Sequence, residues 1–167
     1  DTCAQLMEMV DEEGRLFDEY HIQMERWNEL QKEIKNKKKH VNDIDEELLL
    51  SFLQMEKPSY KYMRNGKPYL PVCVAIFDDC MNTDLYSVSK RNLLSYMVIK
   101  HRHIGQTIYG KGSVGLNILF SVQSYTSNAQ GIPKSIRTNV TILLVFSTKC
   151  MKELKTIAEE LAGEVSE

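Results

Sequence analysis

Apolar residues recur with one period before residue 57 and with another after residue 70, which limits the chain to a mixed helix-and-strand fold. In the first part Leu6, Val10, Phe17, Tyr20, Met24, Trp27 and Ile34 follow at steps of helical spacing, with Glu13 and Gln31 interrupting the stripe. The spacing predicts one long amphipathic helix running into the basic cluster KNKKKH (35–40), whose lysines suit a helix C-terminus. A second helix is announced by Asp43 as N-cap with Glu46 three residues later, and carries Ile44, Leu48, Leu49, Phe52 and Met55 before Pro58. The two are expected to pair as a helical hairpin over residues 1–57. In YKYMRNGKPYLP (60–71), Asn65-Gly66 predicts a β-hairpin connector over 58–71.

Beyond residue 70 three near-continuous apolar runs of strand length follow: VCVAIF (72–77), LNILFSV (116–122) and VTILLVF (140–146). Such runs are expected of strands covered on both faces in a parallel sheet. One helix is expected over Ser89 to Lys100, with Leu93, Leu94, Met97 and Val98 inward. Another runs from a Ser147/Thr148 cap through Met151, Leu154, Ile157, Ala158 and Leu161 toward Gly163 as C′ residue. The expected fold class is α/β: a mostly parallel sheet of the P-loop NTPase type over 72–167, preceded by a helical region.

Composition narrows the function classes. A chain of 167 residues, 43% hydrophobic and 26% charged, buries one ordinary core. No apolar run approaches the roughly 18 residues of a membrane span, and no signal-peptide pattern opens the sequence, so a soluble intracellular protein is expected. Cys3, Cys73, Cys80 and Cys150 lie far apart without a CxxC pair, which points to neither a zinc site nor a disulfide framework. A formal charge of −2 means that any contact with nucleic acid must come from local basic patches.

HIGQTIYGKGSVGLN (103–117) has the glycine and lysine spacing of a phosphate-binding loop in Gly105, Gly110 and Lys111. The loop chemistry needs a strand before it and a helix after it, so that backbone N–H groups converge on phosphate. Here Gly112 replaces the Mg²⁺-binding hydroxyl residue and a strand-length run follows. The stretch therefore reads as a flexible Gly-rich turn feeding a strand.

The chemistry-bearing stretch is VCVAIFDDC (72–80), an apolar strand that ends in two adjacent carboxylates. In open α/β sheets ligands bind at the C-terminal ends of parallel strands, and neighbouring carboxylates there call for a cation. Asp78 is the candidate Mg²⁺ ligand and Asp79 the candidate polariser of an attacking water. Gln123, at the end of the next apolar strand, is expected at the same sheet edge, where an amide can orient water beside a γ-phosphate. A receiver domain also ends a strand in an acid pair, but it needs an aspartate at the end of a later strand, and here that strand ends in Gln123. Arg102 and His103 in KHRH (100–103) suit a helix end and can contact phosphate or DNA. In IPKSIRTN (132–139), Arg137 precedes the third apolar run and is of a type suited to a finger acting across a subunit boundary.

Asp-Asp after an apolar strand, a helix ending in Arg-His, a strand ending in Gln, then IPKSIRTN and another apolar run: this order resembles the DNA-packaging ATPases of poxviruses and other large DNA viruses, in the FtsK/HerA superfamily of P-loop motors. The resemblance covers about residues 72–160. It implies a Walker B pair in Asp78 and Asp79, with Asp78 on Mg²⁺, and a sensor in Gln123. ATP and Mg²⁺ are the implied cofactors, and Arg102, His103 and Arg137 match basic positions of the family without settling which arginine is the finger. The implied partners are double-stranded DNA, further copies of the chain in a ring, and a capsid or portal-vertex protein. The implied location is the host cytoplasm at virus assembly sites, or the virion.

Two departures qualify the resemblance. The family's phosphate-binding loop is expected upstream of residue 1, so the chain reads as the carboxy-proximal part of a longer ATPase. The 105–115 stretch reads as an insertion, and its Tyr109 and Lys111, like Lys37, Lys38 and Lys39, are candidate DNA contacts. A non-catalytic scaffold for DNA or capsid protein is the competing class.

Overall fold

The computed structural model describes residues 2–37, 46–80, 83–86, 92–126, 131–147 and 149–162. It combines helices with a small parallel sheet and divides into two compact units of interleaved sequence. A sheet unit gathers Asp1–Met7, Cys73–Arg102 and Leu116–Glu167; a hairpin unit gathers Glu8–Val72 and His103–Gly115.

Helix α1 (Thr2–Lys37) follows the predicted stripe. In the hairpin unit it buries Val10, Phe17 and Tyr20, and the sequence between them carries no proline to break it. Gly14 costs an exposed helix about 1 kcal/mol relative to alanine. Here its missing side chain is needed, because a Cβ would meet the Gly105 carbonyl oxygen at 2.9 Å. Helix α2 (Glu46–Gln54) has Glu46 and Glu47 in its first turn, where carboxylates complement the helix dipole. Its predicted cap Asp43, with Ile44, Lys38 and Lys39, lies outside the described residues, as do the side chains of Leu48, Leu49 and Phe52.

The Asn65-Gly66 hairpin forms as predicted: β1 (Met63–Arg64) pairs antiparallel with β2 (Lys67–Pro68). Asn65 and Gly66 have φ of 51° and 72°, the two consecutive left-handed residues that a tight hairpin turn requires. Tyr60 ties its base to α1, with ring centroids 5.7 Å from Phe17 and 5.5 Å from Tyr20.

In the sheet unit β3 (Cys73–Asp78) pairs in parallel with β6 (Leu116–Ser121), in the register Cys73↔Leu116 to Asp78↔Ser121. Ala75, Phe77 and Leu116 are buried on one face, with the Phe77 and Phe120 rings stacked at 5.2 Å. Helix α3 (Leu93–Lys100) starts at Asn92, whose side chain accepts from the N–H groups of Leu94 and Ser95. It buries Leu94, Met97 and Val98; full burial of such a side chain contributes about 2 kcal/mol. The predicted earlier start at Ser89 falls outside the described residues. After Pro133 a single turn, α4 (Lys134–Arg137), buries Ile136 completely.

Helix α5 (Met151–Ala162) buries Ile157, but it begins later than the predicted Ser147 cap; Thr148 and Gly163 lie outside the described residues. Of the other apolar residues along it, Met151, Ala158 and Leu161 are exposed.

Two expectations about the sheet are corrected. The run 140–146 forms no strand, and Ile142, Leu144 and Phe146 are 78%, 76% and 84% exposed. Nor are the strands covered on both faces: Val74 and Ile76 of β3 and Leu119 of β6 face outward and are exposed. Unbroken apolarity permits double burial, but burial also needs a neighbouring strand or helix, and the described residues supply one covered face and a two-stranded ladder.

Candidate functional site

The parallel register brings the acid pair and the glutamine together at one end of the sheet unit. Asp78 closes β3 opposite Ser121, and the N–H of Asp79 donates to the Ser121 carbonyl at 3.0 Å, extending the ladder by one residue. Asp79 then adopts φ of 47°, a left-handed conformation uncommon outside glycine, asparagine and aspartate, which turns the chain away from the sheet. Across the strand ends, Gln123 Nε2 donates to Asp79 Oδ2 at 3.0 Å. This bond fixes one carboxylate oxygen of Asp79 against the amide.

The turn after the acids is held locally. The Cys80 thiol donates to the Asp78 carbonyl, the Thr83 hydroxyl donates to the Cys80 carbonyl at 2.6 Å, and the Tyr86 N–H returns to the Thr83 carbonyl. Beneath it Tyr86 meets Phe120 edge-on at 6.4 Å. Burial, with a smaller contribution from Cys80, pushes the Tyr86 hydroxyl up to about 12, so it is neutral at any physiological pH.

The loop that follows Gln123 is held by two glutamates that the sequence pattern does not single out. Glu153, in the first turn of α5, accepts through Oε1 from the Ser124 hydroxyl and from the N–H groups of Tyr125 (3.0 Å) and Thr126 (3.3 Å). The Ser124 hydrogen bond, with the two backbone donors, holds the Glu153 carboxyl below the usual carboxylate range. Two turns further on, Glu160 accepts from the Tyr125 hydroxyl at 2.9 Å and from Arg137 Nε and Nη2 at 3.2 and 2.9 Å. The Arg137 hydrogen bonds are the main reason that the Glu160 carboxyl also lies low. The i, i+7 spacing of two acids on one helix face was the available signal.

Arg137 is accordingly engaged within its own chain. Besides Glu160 it donates to the Ile132 carbonyl at 2.6 Å and lies over the Tyr125 ring at 5.2 Å, and its side chain is 14% exposed. Arg102 is exposed at the turn that follows α3, in the sheet unit, and His103 is exposed at the start of the hairpin unit's second segment. Lys37 ends α1, and Lys111 is exposed at a hairpin tip with φ of 53°.

That hairpin is the Gly-rich stretch. β4 (Gln106–Thr107) pairs antiparallel with β5 (Gly112–Ser113), so the strand-loop-helix context of a phosphate loop is absent from 103–117. Three of its backbone donors are also occupied: Gly105 N–H donates to Asp11 Oδ1 at 2.7 Å, and the N–H groups of Ile108 and Tyr109 converge on the Asp18 carboxylate at 2.9 to 3.1 Å. The anion held by this loop is a side chain of α1. His21 stacks on Tyr109 at 5.1 Å, and the Tyr109 hydroxyl donates to Glu25 at 2.8 Å. The expected flexible turn is thus an element tied down along its length.

For a divalent cation the donor chemistry fits: Asp78 and Asp79 offer hard carboxylate oxygens at a strand end. No cluster of three His, Cys, Asp or Glu ligands occurs among the described residues. Mg²⁺ in nucleotide sites is held by one or two carboxylates plus phosphate oxygens, so the acid pair matches that mode rather than a closed protein cage. No helix among the described residues is long and apolar enough to cross a membrane. Comparison with protein-family models, with curated proteins and with solved structures found no match for this chain.

Proposed function

We propose that this chain is the acid-pair and sensor portion of an ATP-driven motor that moves double-stranded viral DNA into a capsid. The observation that carries the reading is the Gln123–Asp79 hydrogen bond at the ends of two parallel strands. An acid that activates water and an amide that reports the γ-phosphate must share one edge of the sheet, and these two do.

In this reading Asp78 holds Mg²⁺, which when bound neutralises phosphate charge. Asp79 accepts the proton of the attacking water, and its carboxylate is oriented by the Gln123 amide. Gln123 is in turn positioned by the loop that Glu153 pins to α5. A change at the γ-phosphate that draws the amide away from Asp79 would leave one carboxylate oxygen free, coupling nucleotide state to the base. Arg137 is committed to Glu160 within its own chain, so to act as a finger on a neighbouring copy in a ring it would first have to leave that pair. The reading requires a phosphate-binding loop from outside residues 103–117, because those N–H groups hold Asp11 and Asp18.

That same occupation favours the second reading, a non-catalytic scaffold that binds DNA or capsid protein. The two are separated by Mg²⁺-dependent ATP hydrolysis on the longest natural polypeptide that contains this sequence, with and without duplex DNA. Hydrolysis stimulated by DNA supports the motor. DNA binding without hydrolysis supports the scaffold.

A further inference from the structure

We infer that the β1–β2 hairpin is an arm that grips the phosphate backbone of duplex DNA through Arg64 and Lys67. From Lys57 to Phe77 the chain has no acidic residue, four cations (Lys57, Lys61, Arg64, Lys67) and three tyrosines, although the whole chain is net acidic. Lys61 is neutralised by Glu13 and lies over the Tyr62 ring at 4.9 Å. Arg64 and Lys67 stand directly opposite each other across the Asn65-Gly66 turn, both exposed, and neither forms an ion pair among the described residues. Like charges placed directly across a hairpin destabilise it, so folding alone does not account for the arrangement.

The arm is stiff where it leaves the unit. The Tyr69 N–H donates to the Tyr62 carbonyl at 3.1 Å, the Tyr62 and Tyr69 rings lie 6.0 Å apart, and Tyr60 continues the stack onto α1. A preorganised cation pair loses little freedom on binding. A two-stranded ribbon has the width that the major groove of DNA admits, with phosphates on both rims. The tip, Arg-Asn-Gly-Lys, has none of the large apolar side chains that seat a ribbon in a lipid surface. It also carries no base-reading constellation, so binding is independent of sequence. The inference rests on the proposed function only in choosing DNA as the polyanion, and it needs no ATP turnover.

The test is fluorescence anisotropy with a labelled short duplex and the 167-residue chain, across a salt series. Arg64→Ser/Lys67→Ser is compared with a charge-matched control, Lys152→Ser/Lys155→Ser, and with the charge-preserving Arg64→Lys/Lys67→Arg. Loss of two phosphate contacts is expected to weaken binding about tenfold or more at about 50 mM salt and to lower the log K against log salt slope by about 2. The control should lose far less, and the charge-preserving variant should bind like wild type. Circular dichroism spectra that overlay wild type show that folding is intact. Equal binding by wild type and the hairpin variant would overturn the inference while leaving the motor reading standing. So would tighter binding to poly-glutamate than to duplex, and absence of any duplex binding by the wild-type chain would overturn it as well. Hairpin-dependent binding in a full polypeptide that hydrolyses no ATP would keep the inference and remove the motor.

Discussion

The hairpin unit and the sheet unit reach order by different means. The hairpin unit has few long apolar runs, yet three of its loop donors meet two carboxylates of α1, and its tyrosines stack in a continuous cluster. The sheet unit owns the most apolar sequence in the chain and leaves much of it exposed, at Val74, Ile76, Ile142, Leu144 and Phe146. Polar matching names its partner, because an unpaired backbone donor or carboxylate is costly in only one way. Apolar patterning specifies only that some partner is wanted.

The order of the hairpin unit is most easily lost at Gly105. Its φ is 68°, and a Cβ there would approach the Val10 carbonyl oxygen at 2.6 Å and Val114 Cβ at 2.9 Å. Gly105→Ala is expected to cost about 3 kcal/mol, from left-handed backbone strain and overlap with backbone that cannot yield. Urea denaturation followed by circular dichroism measures it. Next comes Asp18→Ala, which strips the Ile108 and Tyr109 donors of their acceptor and should cost about 1.5 kcal/mol in the same assay, with faster amide exchange at 108 and 109.

In the sheet unit the polar match between Arg137 and Glu160 responds to pH. The folded-state carboxyl of Glu160 is depressed, so its stabilising effect is complete above the unfolded carboxylate value and disappears as pH falls through the folded one. Glu160→Gln is expected to cost about 1 kcal/mol at neutral pH, allowing for solvent screening of a partly exposed pair. The gap in urea midpoint from wild type should close well below about pH 4, the ordinary glutamate range. A gap that persisted at low pH would mean that the Arg137–Glu160 pair is not its source. The smallest effect is expected for Phe146→Ser, because 84% of that residue is already in water: under about 0.5 kcal/mol. A loss several times larger would show that the 140–146 run is packed.

How much of this was legible in the sequence follows the same division. The long helix and the Asn65-Gly66 turn were legible because helical period and left-handed turn chemistry are local signals. The run 140–146 misled, because apolarity without period says nothing about which neighbour is present. The anchoring of the Gly-rich stretch was invisible in another way, since Asp11 and Asp18 lie more than ninety and about ninety residues from the donors they hold. In the candidate site, Asp78, Asp79 and Gln123 were legible as strand ends, and their meeting follows once β3 and β6 run parallel. Glu153 and Glu160 were not, because their partners lie in a loop whose path a sequence does not give. In the sequence Arg137 is a cation before an apolar run, whereas in the structure it bonds to Glu160 and the Ile132 carbonyl.

The catalytic role of this strand end is tested most directly by steady-state ATP turnover, with Mg²⁺ and duplex DNA, of the longest natural polypeptide containing this sequence, compared with its Asp79→Asn and Gln123→Ala variants. If Asp79 accepts the proton of the attacking water and Gln123 orients it, Asp79→Asn should lower kcat by about a hundredfold or more, with Gln123→Ala falling between it and wild type. Nucleotide binding should be nearly unchanged in both. Turnover unaffected by Asp79→Asn, or no turnover in the unmodified polypeptide, would contradict the assignment of this strand end as a catalytic site.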